Sequence, residues 1–130
     1  MAAVTFIHTS DFQLGMTRWF LSPAAQSRFD DDREEAVARF GELASETGAE
    51  FIVVAGDVFE HNSLNKSTLL RAKEVFKNLP VPVYLLPGNH DPLVADSIFF
   101  HSFADNVHVI ADSEPIEVRP GVEIVGAPYL

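Results

Sequence analysis

Three polar clusters stand directly behind three apolar runs: Thr9-Ser10-Asp11-Phe12-Gln13, Gly56-Asp57-Val58-Phe59 and Gly88-Asn89-His90-Asp91. If the apolar runs are parallel strands, their carboxyl ends share one edge of a sheet, and ligands of α/β folds bind beyond that edge. The clusters then place Asp11, Gln13, Asp57, Asn89 and His90, with Asp91 adjoining, around one cleft. Carboxylate, amide oxygen and imidazole together form a ligand set for divalent ions such as Mn²⁺, Mg²⁺, Fe²⁺ or Zn²⁺. An aspartate at the end of a central strand can turn both oxygens to the cleft and bridge two ions. Such a pair, about 4 Å apart, holds a phosphoryl oxygen and activates a water for in-line attack on phosphorus. Gly56 and Gly88 allow a sharp turn and a close backbone approach. Packing explains these residues poorly, because a buried carboxylate without a partner is costly.

The elements that must position the clusters follow from apolar spacing. Val4-Thr5-Phe6-Ile7-His8 is a β-branched and aromatic run, and Phe51-Ile52-Val53-Val54-Ala55 is the continuous kind buried on both faces of a parallel sheet. Val81-Pro82-Val83-Tyr84-Leu85-Leu86 is a third strand, broken by Pro87-Gly88. Helical spacing of Val37, Phe40, Leu43 and Ala44 predicts a helix over about 32–47, stopped by Gly48. A second helix over about 66–78 carries Leu69, Ala72, Phe76 and Leu79 on one side and ends at Pro80. A short aromatic turn around Ile98-Phe99-Phe100 leads to a strand at Val107-His108-Val109-Ile110. Ile116-Glu117-Val118 and Val122-Glu123-Ile124-Val125 flank the turn signal Arg119-Pro120-Gly121, as in an antiparallel hairpin. The run Asp30-Asp31-Asp32-Arg33-Glu34-Glu35 reads as a helix start, with carboxylates at the positive end of the dipole. This order predicts an α/β layered fold: a mostly parallel sheet with flanking helices, ending in a hairpin.

Composition narrows the function classes. A chain of 130 residues is one domain's worth, and 47% hydrophobic residues give it a core that a disordered segment lacks. With no cysteine, disulfide scaffolds, zinc ribbons and thiol nucleophiles are excluded. No apolar run approaches the roughly 20 residues of a membrane span, and the amino terminus has no secretory pattern, so a cytoplasmic protein without membrane contact is expected. Nine Lys and Arg against nineteen Asp and Glu give a net charge of −10, which opposes broad attraction to nucleic acid. It does not oppose a metal site, where bound cations offset the carboxylates locally.

Asp11-Phe12-Gln13, Gly56-Asp57 and Gly88-Asn89-His90-Asp91 resemble the first three motifs of the calcineurin-like metallophosphoesterases. The wording His8-Thr9-Ser10-Asp11-Phe12-Gln13-Leu14-Gly15 and Gly56-Asp57-Val58-Phe59 is most similar to the DNA-repair exonuclease branch, a nuclease subunit that works with a coiled-coil ATPase. The resemblance implies an α-β-β-α sandwich and a metal-dependent exonuclease or endonuclease that uses two ions, Mn²⁺ foremost, on DNA ends or single strands. It makes Asp11 a ligand of the first ion, Asp57 the bridge and Asn89 a ligand of the second. His90 becomes the general acid or transition-state stabiliser, and Asp91 the residue that orients its imidazole.

Two departures qualify the match. Gln13 stands where the family usually has histidine; its amide oxygen suits Mn²⁺ or Mg²⁺ better than Zn²⁺. The family also completes its metal shell with three further histidines, whereas only His101 and His108 follow His90 here, neither in a Gly-His-x-His context. Residues 1–130 are therefore expected to form the N-terminal portion of a longer catalytic domain, impaired or inactive alone, with homodimerisation open to its unfinished sheet edge.

The remaining candidates have bland explanations. His8, His101 and His108 fit structural roles and His61 a solvated loop, while Phe99, Phe100 and Phe103 fit a core. Trp19 and Phe20 fit packing better than base stacking, and Arg18 and Arg28 are ordinary for their segment. A phosphoacceptor receiver domain would explain Asp57 but needs a lysine late in the chain, and the last one is Lys77. A dinucleotide fold fails because no Gly-x-Gly-x-x-Gly follows the first strand. A phosphatase, a cyclic-nucleotide phosphodiesterase and a non-catalytic relative remain as alternatives.

Overall fold

Ser22-Pro23 starts the longest element. Ser22 is extended (φ −65°, ψ 160°), and its hydroxyl accepts a hydrogen bond from the Ala25 N–H, while Pro23 fills the first helical turn. Helix α1 (Pro23–Thr47) therefore begins well before position 32, and its first turn holds no acidic residue. The acidic run is not a helix start but lies within α1, where its charges are paired sideways. Asp30 accepts from the Gln26 amide, Glu35 pairs with Arg39, and Asp31 and Glu34 both meet Arg71. Lateral partners, not the helix dipole, account for these four carboxylates, and Asp32 is exposed.

The computed structural model describes residues 3–16, 20–59, 66–88, 91 and 103–128. Its elements run β1 (Ile7–Thr9), α1, β2 (Ile52–Ala55), α2 (Lys66–Lys77), β3 (Val83–Leu86), β4 (Val107–Val109), β5 (Ile116–Arg119) and β6 (Val122–Ile124). Strands β1 to β4 form a sheet in that order, every pairing parallel, and β5 and β6 form the expected antiparallel hairpin. The turn expected around 98–100 falls outside the described residues. No described helix is long and apolar enough to cross a membrane.

The apolar runs are continuous because the sheet is covered twice. Ile52, Val54, Val83 and Leu85 turn to the helical face, where they meet Val37, Leu69 and Phe76. Phe51 and Tyr84, with Val53 and Leu86, turn to the other face, which the hairpin covers through Ile116, Val118 and Ile124. Leu43 departs from its expected place: it is exposed, about 100° around the helix from buried Ala44. The register then sets the edge that matters. Thr9 is level with Val54, Val54 with Leu85 and Ala55 with Leu86, so the segments leaving β1, β2 and β3 emerge side by side.

Candidate metal centre

The first two strand ends continue alongside each other after the sheet stops. The Asp11 N–H donates to the Gly56 carbonyl at 3.0 Å, the Gln13 N–H to the Asp57 carbonyl at 2.9 Å, and the Leu14 N–H to the Val58 carbonyl at 3.0 Å. Leu14 also bridges Phe59 in parallel fashion. Below the loops, the Phe12 ring enters the core against Phe40 and Phe76. The chain reaches this arrangement through an uncommon backbone: Asp11, Gln13 and Asp57 have φ of 59°, 49° and 52°. A left-handed residue other than glycine costs roughly 1–2 kcal/mol, and such residues persist where their surroundings over-determine them. All three lie at positions singled out as metal ligands from the sequence.

The third strand end closes on the second. A Cβ on Gly88 would come within 2.5 Å of Asp57 Oδ1 and 2.6 Å of the Asp57 nitrogen, so only glycine lets the loops approach this closely. Asp91 is fully buried and joins the same two loops. Its Oδ1 accepts from the Gly88 N–H and its Oδ2 from the Phe59 N–H, both at 2.8 Å. Burial pushes the Asp91 carboxyl above the usual carboxylate range; the Phe59 and Gly88 N–H groups oppose that rise, and the Asp57 charge adds to it. Phe59, itself fully buried, was not a candidate from the sequence. Only its position at the end of the Gly56-Asp57-Val58-Phe59 cluster hinted that its backbone serves the site.

Asp11, Gln13 and Asp57 thus come together on hydrogen-bonded loops, with Asp91 behind them. Asn89 and His90 lie outside the described residues. The Asp11 carboxylate is exposed and accepts a 2.7 Å bond from the Ser10 hydroxyl, whereas Gln13 and Asp57 are half-buried. A cleft of about 260 Å³ opens beside Asp11, walled by Thr9, Ser10, Phe12, Arg33 and Phe40 among others. Among the described residues no three His, Cys, Asp or Glu side chains gather into one metal-binding group. Two carboxylates and an amide oxygen are nevertheless oxygen donors of the kind that hard divalent ions take, and they fit part of such a shell. Elsewhere, His8 is exposed on β1, and His108 is exposed on β4 and stacked on Tyr84, both away from these loops.

The sequence profile of the calcineurin-like phosphoesterases matches residues 4–126. The chain belongs to this family. Among calcineurin-like phosphoesterase relatives, it is similar to the DNA double-strand break repair protein Mre11 of Archaeoglobus fulgidus, 30% identical over 99 residues, covering 74% of this chain and 21% of that protein. It is also similar to the uncharacterized metallophosphoesterase YhaO of Bacillus subtilis, 28% identical over 120 residues, 88% of this chain and 29% of that one. The Mre11 of Saccharolobus solfataricus is 24% identical over 136 residues, 98% of this chain and 34% of its own length. The chain therefore spans about a fifth to a third of the curated relatives it matches.

Proposed function

We propose that the protein hydrolyses phosphodiester bonds of DNA with two divalent ions, Mn²⁺ foremost, held by Asp11, Gln13, Asp57 and Asn89. The observation that carries this is the joining of the three strand-end loops, with Asp11, Gln13 and Asp57 all in the left-handed region. Strained residues cluster at functional sites, and a shared ligand accounts for three of them converging on one edge. Two relatives bearing the name DNA double-strand break repair protein support a nucleic-acid substrate. The resemblance of its motifs to the DNA-repair exonuclease branch extends the proposal to work beside a coiled-coil ATPase subunit, and a cytoplasmic location is part of the same proposal.

Divalent ions held by Asp11, Gln13, Asp57 and Asn89 would supply Lewis-acid polarisation of the phosphoryl group and activation of the attacking water. The chain does the rest. Gly88 keeps the third loop tight against Asp57. His90 gives a proton or hydrogen bond to the ester oxygen that gains charge as the phosphorus–oxygen bond breaks. Asp91 sets the position of that histidine by anchoring its loop.

The test is Mn²⁺-dependent cleavage of linear duplex DNA by the full-length protein, beside hydrolysis of bis(p-nitrophenyl) phosphate. Asp57→Asn and His90→Ala should each lower kcat by about a hundredfold or more while keeping the fold, followed by circular dichroism. Turnover that survives both substitutions would remove the proposal. Small-ester hydrolysis that DNA fails to inhibit would instead assign a phosphatase or cyclic-nucleotide phosphodiesterase.

A further inference from the structure

The peptide group between Phe12 and Gln13 is gripped from both sides. Its N–H donates to the Asp57 carbonyl at 2.9 Å. Its C=O accepts a charge-assisted hydrogen bond from Nη1 of Arg33, a residue of α1 that lies 21 positions along the chain. Gln13, on the far side of this peptide, has a φ of 49°. Turning the peptide over would carry Gln13 out of the left-handed region toward the negative φ that non-glycine residues prefer. The direction in which the Gln13 side chain leaves the backbone would change with it.

Arg33 is itself fixed in place. Its Nη2 lies 3.4 Å from the Met16 sulfur, and its guanidinium carbon sits 5.0 Å from the centre of the Phe29 ring. Its Nε is buried without a hydrogen-bond partner among the described residues. A planar fork can hold the Phe12 oxygen and the Met16 sulfur at once, which a lysine ammonium cannot do with the same geometry. A second bond from α1, Gln26 Nε2 to the Met16 carbonyl at 3.1 Å, anchors the far end of the loop. Arg33 bears on the strained part, between Asp11 and Gln13.

On the metal-dependent reading above, the geometry points to Arg33 as a positioning residue. It holds the Phe12–Gln13 peptide in the orientation that keeps Gln13 in the left-handed region, and so sets the affinity of the first ion site through Gln13.

The experiment uses the full-length protein, Mn²⁺ titrations followed by electron paramagnetic resonance, and hydrogen exchange at the Gln13 amide in metal-free protein. Arg33→Gln should weaken Mn²⁺ binding about ten- to hundredfold, the range for residues that orient a ligand. It should also speed Gln13 exchange, with kcat recovering at high Mn²⁺. Arg33→Lys, which keeps one donor, should fall between, and it carries the test alone if Arg33→Gln does not fold. Unchanged Mn²⁺ affinity and Gln13 exchange, with only a lower Tm, would overturn the inference. Loss of Mn²⁺ binding in an Asp57→Asn control would show in that case that the metal site itself stands. Absence of Mn²⁺ binding in the wild type would remove both together.

Discussion

The loops after β1 and β3 reach the same sheet edge but are secured in different ways. The first is held redundantly: three main-chain bonds tie it to residues 56–58, the Phe12 ring anchors it in the core, and Arg33 and Gln26 brace it from α1. The described part of the third depends on a buried carboxylate and on the lack of a side chain at Gly88. Redundancy lets the first loop carry two strained residues and keep its overall fold when one contact is lost, while the orientation of the Phe12–Gln13 peptide still rests on Arg33. The third loop has no strain among its described residues, but little reserve.

Breaking the tight approach should have the largest effect. Gly88→Ala puts a methyl group into the Asp57 carboxylate, which can rotate aside, and into the Asp57 backbone nitrogen, which cannot retreat without moving the loop, and should destabilise by about 3 kcal/mol. Chemical denaturation measures this, and Mn²⁺ binding should fall with it. Next comes Asp91→Asn. An amide has one acceptor oxygen, so either the Phe59 or the Gly88 N–H loses its partner, at about 1.5–3 kcal/mol. A cost under about 0.5 kcal/mol in either variant would place the third loop with the first as redundantly held.

The smallest effect is a control on the opposite face of the sheet. Tyr84 packs edge-on against Phe51 and stacks on His108, and burial pushes its phenol above the usual tyrosine range. The unfolded chain loses this proton near pH 10 while the folded protein retains it, so stability declines as pH rises above about 10. Tyr84→Phe should flatten that alkaline decline and leave Mn²⁺ binding unchanged. Urea midpoints across pH 8–11 measure the first part.

Much of this was legible in local pattern. The apolar runs named β1, β2 and β3, the Arg119-Pro120-Gly121 turn named the hairpin, and the polar clusters behind the strands named the edge where Asp11, Gln13 and Asp57 meet. Three things were not legible. The start of α1 was hidden because the acidic run resembles a helix entrance, although Ser22-Pro23 was the better signal. The left-handed backbone at Asp11, Gln13 and Asp57 carries no glycine to announce it. Arg33 sits inside a run of charges, and nothing in its neighbours points to the Phe12 carbonyl, since tertiary packing alone brings them together.

The span of the Asp91 bond to Phe59 bears on the order in which the molecule takes shape. The two residues lie 32 positions apart, on loops brought side by side only after β2 and β3 have paired across the α2 crossover. Closing such a span costs chain entropy before any bond is formed. No short stretch of the polypeptide can therefore assemble this edge on its own. An opening fluctuation that frees β3 also dismantles the edge, so its integrity reports on the cooperative unit as a whole.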